Sequence, residues 1–226
     1  MNPLTPLSQM RVAFYVDGYN LYHSINNIVK YDQSLNYLKW VDLRKLFQNF
    51  IIKGQEDLAD IFFYTAKPLH TNPDVQERYN KLLEAYQRFL NIKVVFGKFK
   101  AKHTSCKRCH TTWIRHEEKE SDVNLAIGIV QAAYERLYDK VFIVTQDSDL
   151  APAVALADKV RPGLVHLLTP PGIHHSHEIS RILSGRTSQI QLVHLQHSLM
   201  PEFFHDKSGI AVLKRPTEYT PPASNK

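Results

Sequence analysis

The run Val141-Phe-Ile-Val-Thr145 carries no polar side chain before its last residue, so a strand built from it needs apolar cover on both faces. Sheets covered on both sides are characteristically parallel, with helices as the crossovers between strands. Arg11-Val-Ala-Phe-Tyr-Val16 is a second run of this kind, and it stops at Asp17-Gly18 just as the first stops at Gln146-Asp-Ser-Asp149. Further strands are predicted over Ala59–Thr65, Ile92–Phe99 and Leu164–Thr169, with an edge strand over Ile190–Leu195.

Helical spacing of apolar residues predicts helices over Tyr19–Val29, over Val41–Ile52 with Asp42 as its cap, and over Asp74–Leu90. Another is predicted from Asp122 to about Tyr138, capped by Ser121, with Val123, Ala126, Ile127, Val130, Ala133, Tyr134 and Leu137 as its buried stripe. A last helical segment runs through Lys159. This alternation implies an α/β fold with a mostly parallel central sheet and helices on both faces.

The expected organisation is one domain over residues 10–195, interrupted by a basic insertion or loop at 100–116, followed by a C-terminal extension or flexible tail at 196–226. At 43% hydrophobic and 22% charged residues, the composition supplies a core and excludes global disorder. No apolar run approaches the roughly 20 residues of a membrane span, and Met1 to Met10 lacks the pattern of a secretion signal. A cytoplasmic protein with no membrane partner is expected. Its two cysteines exclude a disulfide framework.

The acids that follow the strands point to chemistry. In open parallel sheets, ligand sites form beyond the carboxyl ends of the strands, where Asp17, Asp147 and Asp149 are expected. Asp122, at a helix entrance, joins them if that helix starts above the same edge. Four such carboxylates repel one another unless a hard cation neutralises them, which points to Mg²⁺ or Mn²⁺. One or two ions held there suit hydrolysis of a phosphodiester by activated water. Taken singly, Asp17 also serves as a turn residue, and Asp122 and Asp149 as helix-start residues.

A net charge of +6 and a pI near 9.2 favour a polyanionic partner. Lys98, Lys100, Lys102, Lys107, Arg108 and Arg115, interleaved with Phe99, His103 and Trp113, suit backbone contacts and base stacking on single-stranded RNA. The alternative is a solvated loop with Trp113 in the core. Lys119 is a candidate phosphate contact or an exposed ion-pair partner. Asn20 is a candidate for holding a water or phosphate, or a helix cap; Ser148 is a phosphate contact or a turn residue. His103, Cys106, Cys109, His110 and His116 offer ligands for a structural Zn²⁺, with Cys106 and Cys109 as its hook; a bare basic loop and redox chemistry stay open beside it.

Three motifs, Val16-Asp17-Gly18-Tyr19-Asn20-Leu21, Glu118-Lys-Glu-Ser-Asp-Val123 and Val144-Thr-Gln-Asp-Ser-Asp-Leu150, together resemble an NYN domain, and within it the LabA-like members. The likeness spans roughly residues 10 to 170. It implies a PIN-like three-layer sandwich and a metal-dependent nuclease acting mainly on RNA. Asp17, Asp122, Asp147 and Asp149 match its acidic positions and Asn20 its amide. Gln146 and Glu120 stand where such domains usually carry glycine. The function expected is a ribonuclease cutting endonucleolytically with Mg²⁺ or Mn²⁺. An RNA-binding or regulatory module that does not cut is the alternative, which Gln146 keeps open, and another phosphoester-processing enzyme is the third class. RNA is the expected partner, with a second copy of the chain or a regulatory protein as further candidates.

Overall fold

A computed structural model of the protein describes residues 9–68 and 71–222, with the side chains of residues 115–118 left out. The first strand, β1 (Met10–Asp17), alternates cleanly: Val12, Phe14 and Val16 enter one core, Ala13 and Tyr15 the other. That alternation is possible only because both faces are covered. Beside β1 run β2 (Glu56–Thr65) and β3 (Lys93–Phe96) on one side. On the other side lie β6 (Lys140–Val144), β7 (Val165–Thr169) and β8 (Thr187–Gln189). All five pairings are parallel, in the order β3-β2-β1-β6-β7-β8.

One face is covered by α1 (Gly18–Tyr31), α2 (Leu43–Gln48) and α3 (Pro73–Glu84), whose Leu21, Ile25, Leu46, Phe47 and Leu83 pack on Phe14 and Phe142. Phe14 stacks between Phe47 and Phe142 at 4.3 and 4.8 Å. The other face is covered by α4 (Ser121–Glu135), α5 (Ala151–Val160) and α6 (His177–Ile182). The result is the expected three-layer α/β sandwich. Among the described residues no helix is long and apolar enough to cross a membrane.

Several local expectations differ. The stripe expected to be buried on α4 is largely outside: Val123, Ile127 and Tyr134 are exposed, and Leu125, Ile129, Ala132 and Ala133 face the core. Both faces of this helix are apolar, so spacing alone did not select between them. Ser121 does not cap α4. It lies buried in the first turn, and Glu120, in the left-handed region at φ 79°, precedes the helix. The edge strand is Thr187–Gln189 rather than Ile190–Leu195, because Gln191 opens a short helix, α7 (Leu192–Gln196), through a capping box with His194.

The strand expected over Ile92–Phe99 breaks at Gly97, beyond which β4 (Lys98–Ser105) and β5 (Thr112–Lys119) pair with each other. Residues 100–116 therefore form most of a hairpin separate from the main sheet rather than a loop. Beyond residue 196, β9 (Phe203–His205) and β10 (Ala211–Lys214) form a second hairpin that buries Phe204 and Leu213 in the α1–α3 core. A turn at Thr217–Tyr219 follows, tied back by the Arg78–Glu218 ion pair at 2.7 Å.

Candidate active site

The strand order reverses direction between β1 and β6: the chain winds outward from β1 through β2 and β3, then returns to β6 and winds the other way. Such a switch point leaves a crevice at the carboxyl ends of the two strands. Val16 is level with Val144, so Asp17 and Thr145 leave the sheet side by side. Helix α4 runs back along the sheet into β6, which puts its first turn, with Asp122, over the same edge.

Asp17 sits at the base of this crevice, only 4% exposed. It caps α1 by accepting from the Asn20 backbone N–H at 2.9 Å, and its other oxygen accepts from the Asn20 amide and from the Thr145 hydroxyl at 3.1 Å. Asn20 Oδ1 in turn accepts from the Gln146 backbone N–H at 3.3 Å. The amide thus caps nothing itself and instead ties α1 to the loop after β6. Gly18 permits the tight exit from β1: a Cβ there would lie 2.6 Å from Phe63 Cζ and 2.8 Å from the Tyr64 carbonyl oxygen.

Thr145 is the residue that the sequence reading missed. Fully buried at the end of β6, its hydroxyl donates to Asp17 and accepts from the Asp147 backbone N–H at 3.0 Å. The signal was the one polar residue closing an apolar run. Asp147 accepts from the Asp149 N–H at 2.9 Å and so shapes the turn over Ser148–Leu150, on which Ser148 and Asp149 are exposed. Asp122 is exposed at the start of α4. Desolvation, and then the negative charges of Asp147 and Asp149, push its pKa above the ordinary carboxylate value.

Asp122, Asp147 and Asp149 therefore feel one another electrostatically, although among the described residues no three acidic, His or Cys side chains already sit together in metal-holding geometry. Carboxylate oxygens that repel one another are a donor set suited to a hard divalent cation.

The hairpin rises from this same edge. Gly97 donates its N–H to the Thr65 carbonyl at 2.8 Å, and a Cβ on it would lie 2.6 Å from both the Lys119 carbonyl oxygen and the Ser121 hydroxyl. Its register sets Lys98 opposite Lys119, Lys102 opposite Arg115 and Thr104 opposite Trp113. Directly opposed residues share a face, so Lys98, Lys119 and Lys102 lie on one face with a half-exposed Trp113, which is not in the core. Only the backbone of Arg115 is described; its side chain, with those of His116, Glu117 and Glu118, lies outside the described residues. Lys98 also pairs with Glu120 at the hairpin base.

Arg108 lies in the turn at the hairpin tip, between Cys106 and Cys109, remote in sequence from the acids. Both cysteines are free thiols. The Thr111 hydroxyl, 3.2 Å from Cys109 Sγ, together with the Thr111 backbone and Cys106, lowers the Cys109 thiol to about 7. No third described ligand joins them.

The fold is similar to the crystal structure of a protein of unknown function from Vibrio parahaemolyticus, with a TM-score of 0.52 and 14% identity over 85% of this chain and 97% of that one. This likeness is one of fold. In sequence, the chain is 27% identical to 6-hydroxy-3-succinoylpyridine 3-monooxygenase from Pseudomonas putida, across 65% of this chain and 55% of that protein. The chain thus spans about half the length of this relative. The NYN domain profile matches residues 11–174, from β1 past the last of the four acids. A match of that extent, on a six-stranded parallel sheet, makes the chain a member of the NYN domain family, a nuclease-type group with a PIN-like fold.

Proposed function

We propose that the chain is a metal-dependent ribonuclease that hydrolyses RNA phosphodiester bonds endonucleolytically at the switch-point crevice. What supports this reading is that Asp17, Asp147 and Asp149 follow the ends of the two strands at the switch point, and that Asp147 and Asp149 raise the pKa of Asp122 at the start of α4. A Mg²⁺ or Mn²⁺ ion held by these carboxylates would supply charge neutralisation of the phosphodiester and activation of water. Asp122 and Asp149 are exposed and free to turn toward such an ion, whereas Asp17 and Thr145 fix the floor.

Asn20, oriented by Asp17 and Gln146, and Ser148, on the exposed turn, would hydrogen-bond a phosphate at the same edge. Lys98, Lys102, Lys119 and Arg115 would receive the RNA backbone along the hairpin, with Trp113 stacking on a base and Arg108 extending the track to the tip. A structural Zn²⁺ at Cys106 and Cys109 needs further ligands from the chain or a partner.

The test is cleavage of mixed single-stranded and structured RNAs by the purified chain with Mg²⁺, Mn²⁺ or chelator, beside an equally folded Asp147→Asn variant. Internal cleavage that requires metal and vanishes in the variant is expected. RNA binding without cleavage, indifferent to Asp147, would replace this reading with that of a binding module. The module reading draws on Gln146, whose backbone N–H is taken by Asn20 where a glycine is usual in such domains. The activity named for the Pseudomonas relative is tested by oxygen uptake with 6-hydroxy-3-succinoylpyridine.

A further inference from the structure

A cavity of about 400 Å³ opens between α1, α3 and the base of the β4–β5 hairpin, a size within the roughly 300–1,000 Å³ of small-ligand pockets. Its rim begins at Gly18, the residue next to Asp17, and includes Phe99 at the foot of the basic hairpin. It therefore adjoins both the acidic crevice and the proposed RNA track.

The lining is of two kinds. Tyr19 and Tyr22 are half exposed, each against the ring of His23 at 4.1 and 5.5 Å, and offer the cavity aromatic surface together with Phe99. Two cations accompany the rings. Lys39 Nζ lies 5.8 Å from the centre of the Tyr22 ring, and Arg78 is held in place by Glu218. Burial, then the neighbouring Arg78, lowers the pKa of Lys39, as expected for an ammonium waiting for an anion or an acceptor. At the floor, the Thr65 and Tyr79 hydroxyls share a hydrogen bond and can donate or accept.

An apolar occupant would make no use of Lys39, and a simple anion would make no use of the Tyr19 and Tyr22 rings. A planar heteroaromatic group with hydrogen-bonding edges, attached to a phosphate, uses both. We propose that this cavity receives one unstacked nucleobase of the RNA, the nucleotide next to the phosphate held at the acidic edge. This inference rests on the ribonuclease reading for the identity of the polymer.

The test separates the two. The whole chain, in chelator, is titrated with the four nucleoside 5′-monophosphates and with ribose 5-phosphate, and binding is read by calorimetry; RNA cleavage with Mn²⁺ is measured separately. At least one nucleotide should bind, and ribose 5-phosphate at least about tenfold more weakly, since stacking supplies the difference. Tyr22→Ala should weaken nucleotide binding about tenfold and Tyr22→Phe should restore it. Equal binding of ribose 5-phosphate, indifference to Tyr22→Ala in a folded variant, or preference for pyridine-3-carboxylate over every nucleotide would overturn the proposal. Nucleotide binding that depends on Tyr22 without any cleavage would uphold the pocket and reject the nuclease; cleavage without nucleotide binding would do the reverse.

Discussion

Replacing Glu120 by glycine and, separately, by alanine isolates the backbone constraint that aims α4 at the acidic edge. Glu120 has φ 79° and ψ −20°, a left-handed conformation that costs an L-residue roughly 1–2 kcal/mol. Both substitutions remove the ion pair with Lys98, whose partners are 53% and 45% exposed, so that loss is common to the two and worth at most about 1 kcal/mol. Only glycine relieves the left-handed strain. Its greater freedom in the unfolded chain takes back roughly 0.4–1 kcal/mol, which leaves the glycine variant about 1 kcal/mol more stable than the alanine variant. For a chain of 226 residues that is a difference of about 2–4 °C in melting temperature, readable by calorimetry or circular dichroism. An alanine variant that melts at or above the glycine variant would refute the argument, because it would mean that Glu120 is not held in this conformation in solution.

Gly18→Ala should cost about 1–3 kcal/mol by overpacking against Phe63 and the Tyr64 carbonyl, and should reduce cleavage more than its stability loss explains, as α1 and Asn20 shift; urea denaturation and initial rates check both. Asp122 has a folded pKa above its unfolded value, so the folded state binds the proton more tightly. Its contribution favours folding below the unfolded carboxylate value of about 3.9 and is lost as pH rises through the raised folded value. Asp122→Asn should therefore melt higher than the parent in chelator at neutral pH and gain less from added Mn²⁺, as thermal scans across pH with and without metal would register. Lys102→Gln should lower the slope of log affinity for single-stranded RNA against log salt by about 0.7, measured by fluorescence anisotropy, and an unchanged slope would remove Lys102 from the track.

The sheet and the acids were legible because apolar strands that stop at Asp17 and at Asp147-Ser-Asp149 state both where the strands end and what lies at their ends. The hairpin was not. The described side chains of its strands are mostly exposed and enter neither core cluster, so no period-two apolar pattern could reveal them, and Lys, His and Thr at alternate positions read as a loop. The faces of α4 were confused for the opposite reason, an excess of apolar residues: which side is buried depends on where the helix lies over β1 and β2, and Gly128, where a Cβ would come within 2.3 Å of the Tyr64 hydroxyl, marks that side only after the packing is known. Asp17 was visible as an acid, but its fixation by Thr145 joins residues far apart in the chain. The aromatic cavity draws on still more scattered segments, from Tyr19 to Tyr219.

The same edge carries acidic and basic groups on neighbouring elements. Asp147 and Asp149 disfavour the charged form of Asp122, while the register of the hairpin sets Lys98 opposite Lys119 on the face that also carries Lys102. Neither arrangement is needed by the core, which lies below the crevice and apart from the hairpin. The chain connects them by the shortest route available, through Lys119, Glu120 and Ser121, with Gly97 packed against that link so closely that no side chain fits. Under the proposed ribonuclease reading, RNA phosphates would meet the hairpin cations and a divalent cation the carboxylates. Glu120, which takes Lys98 as its ion-pair partner and lies two residues before Asp122, is the joint between the two charge systems, and the strain in its backbone sets the turn from the hairpin into the helix that carries Asp122.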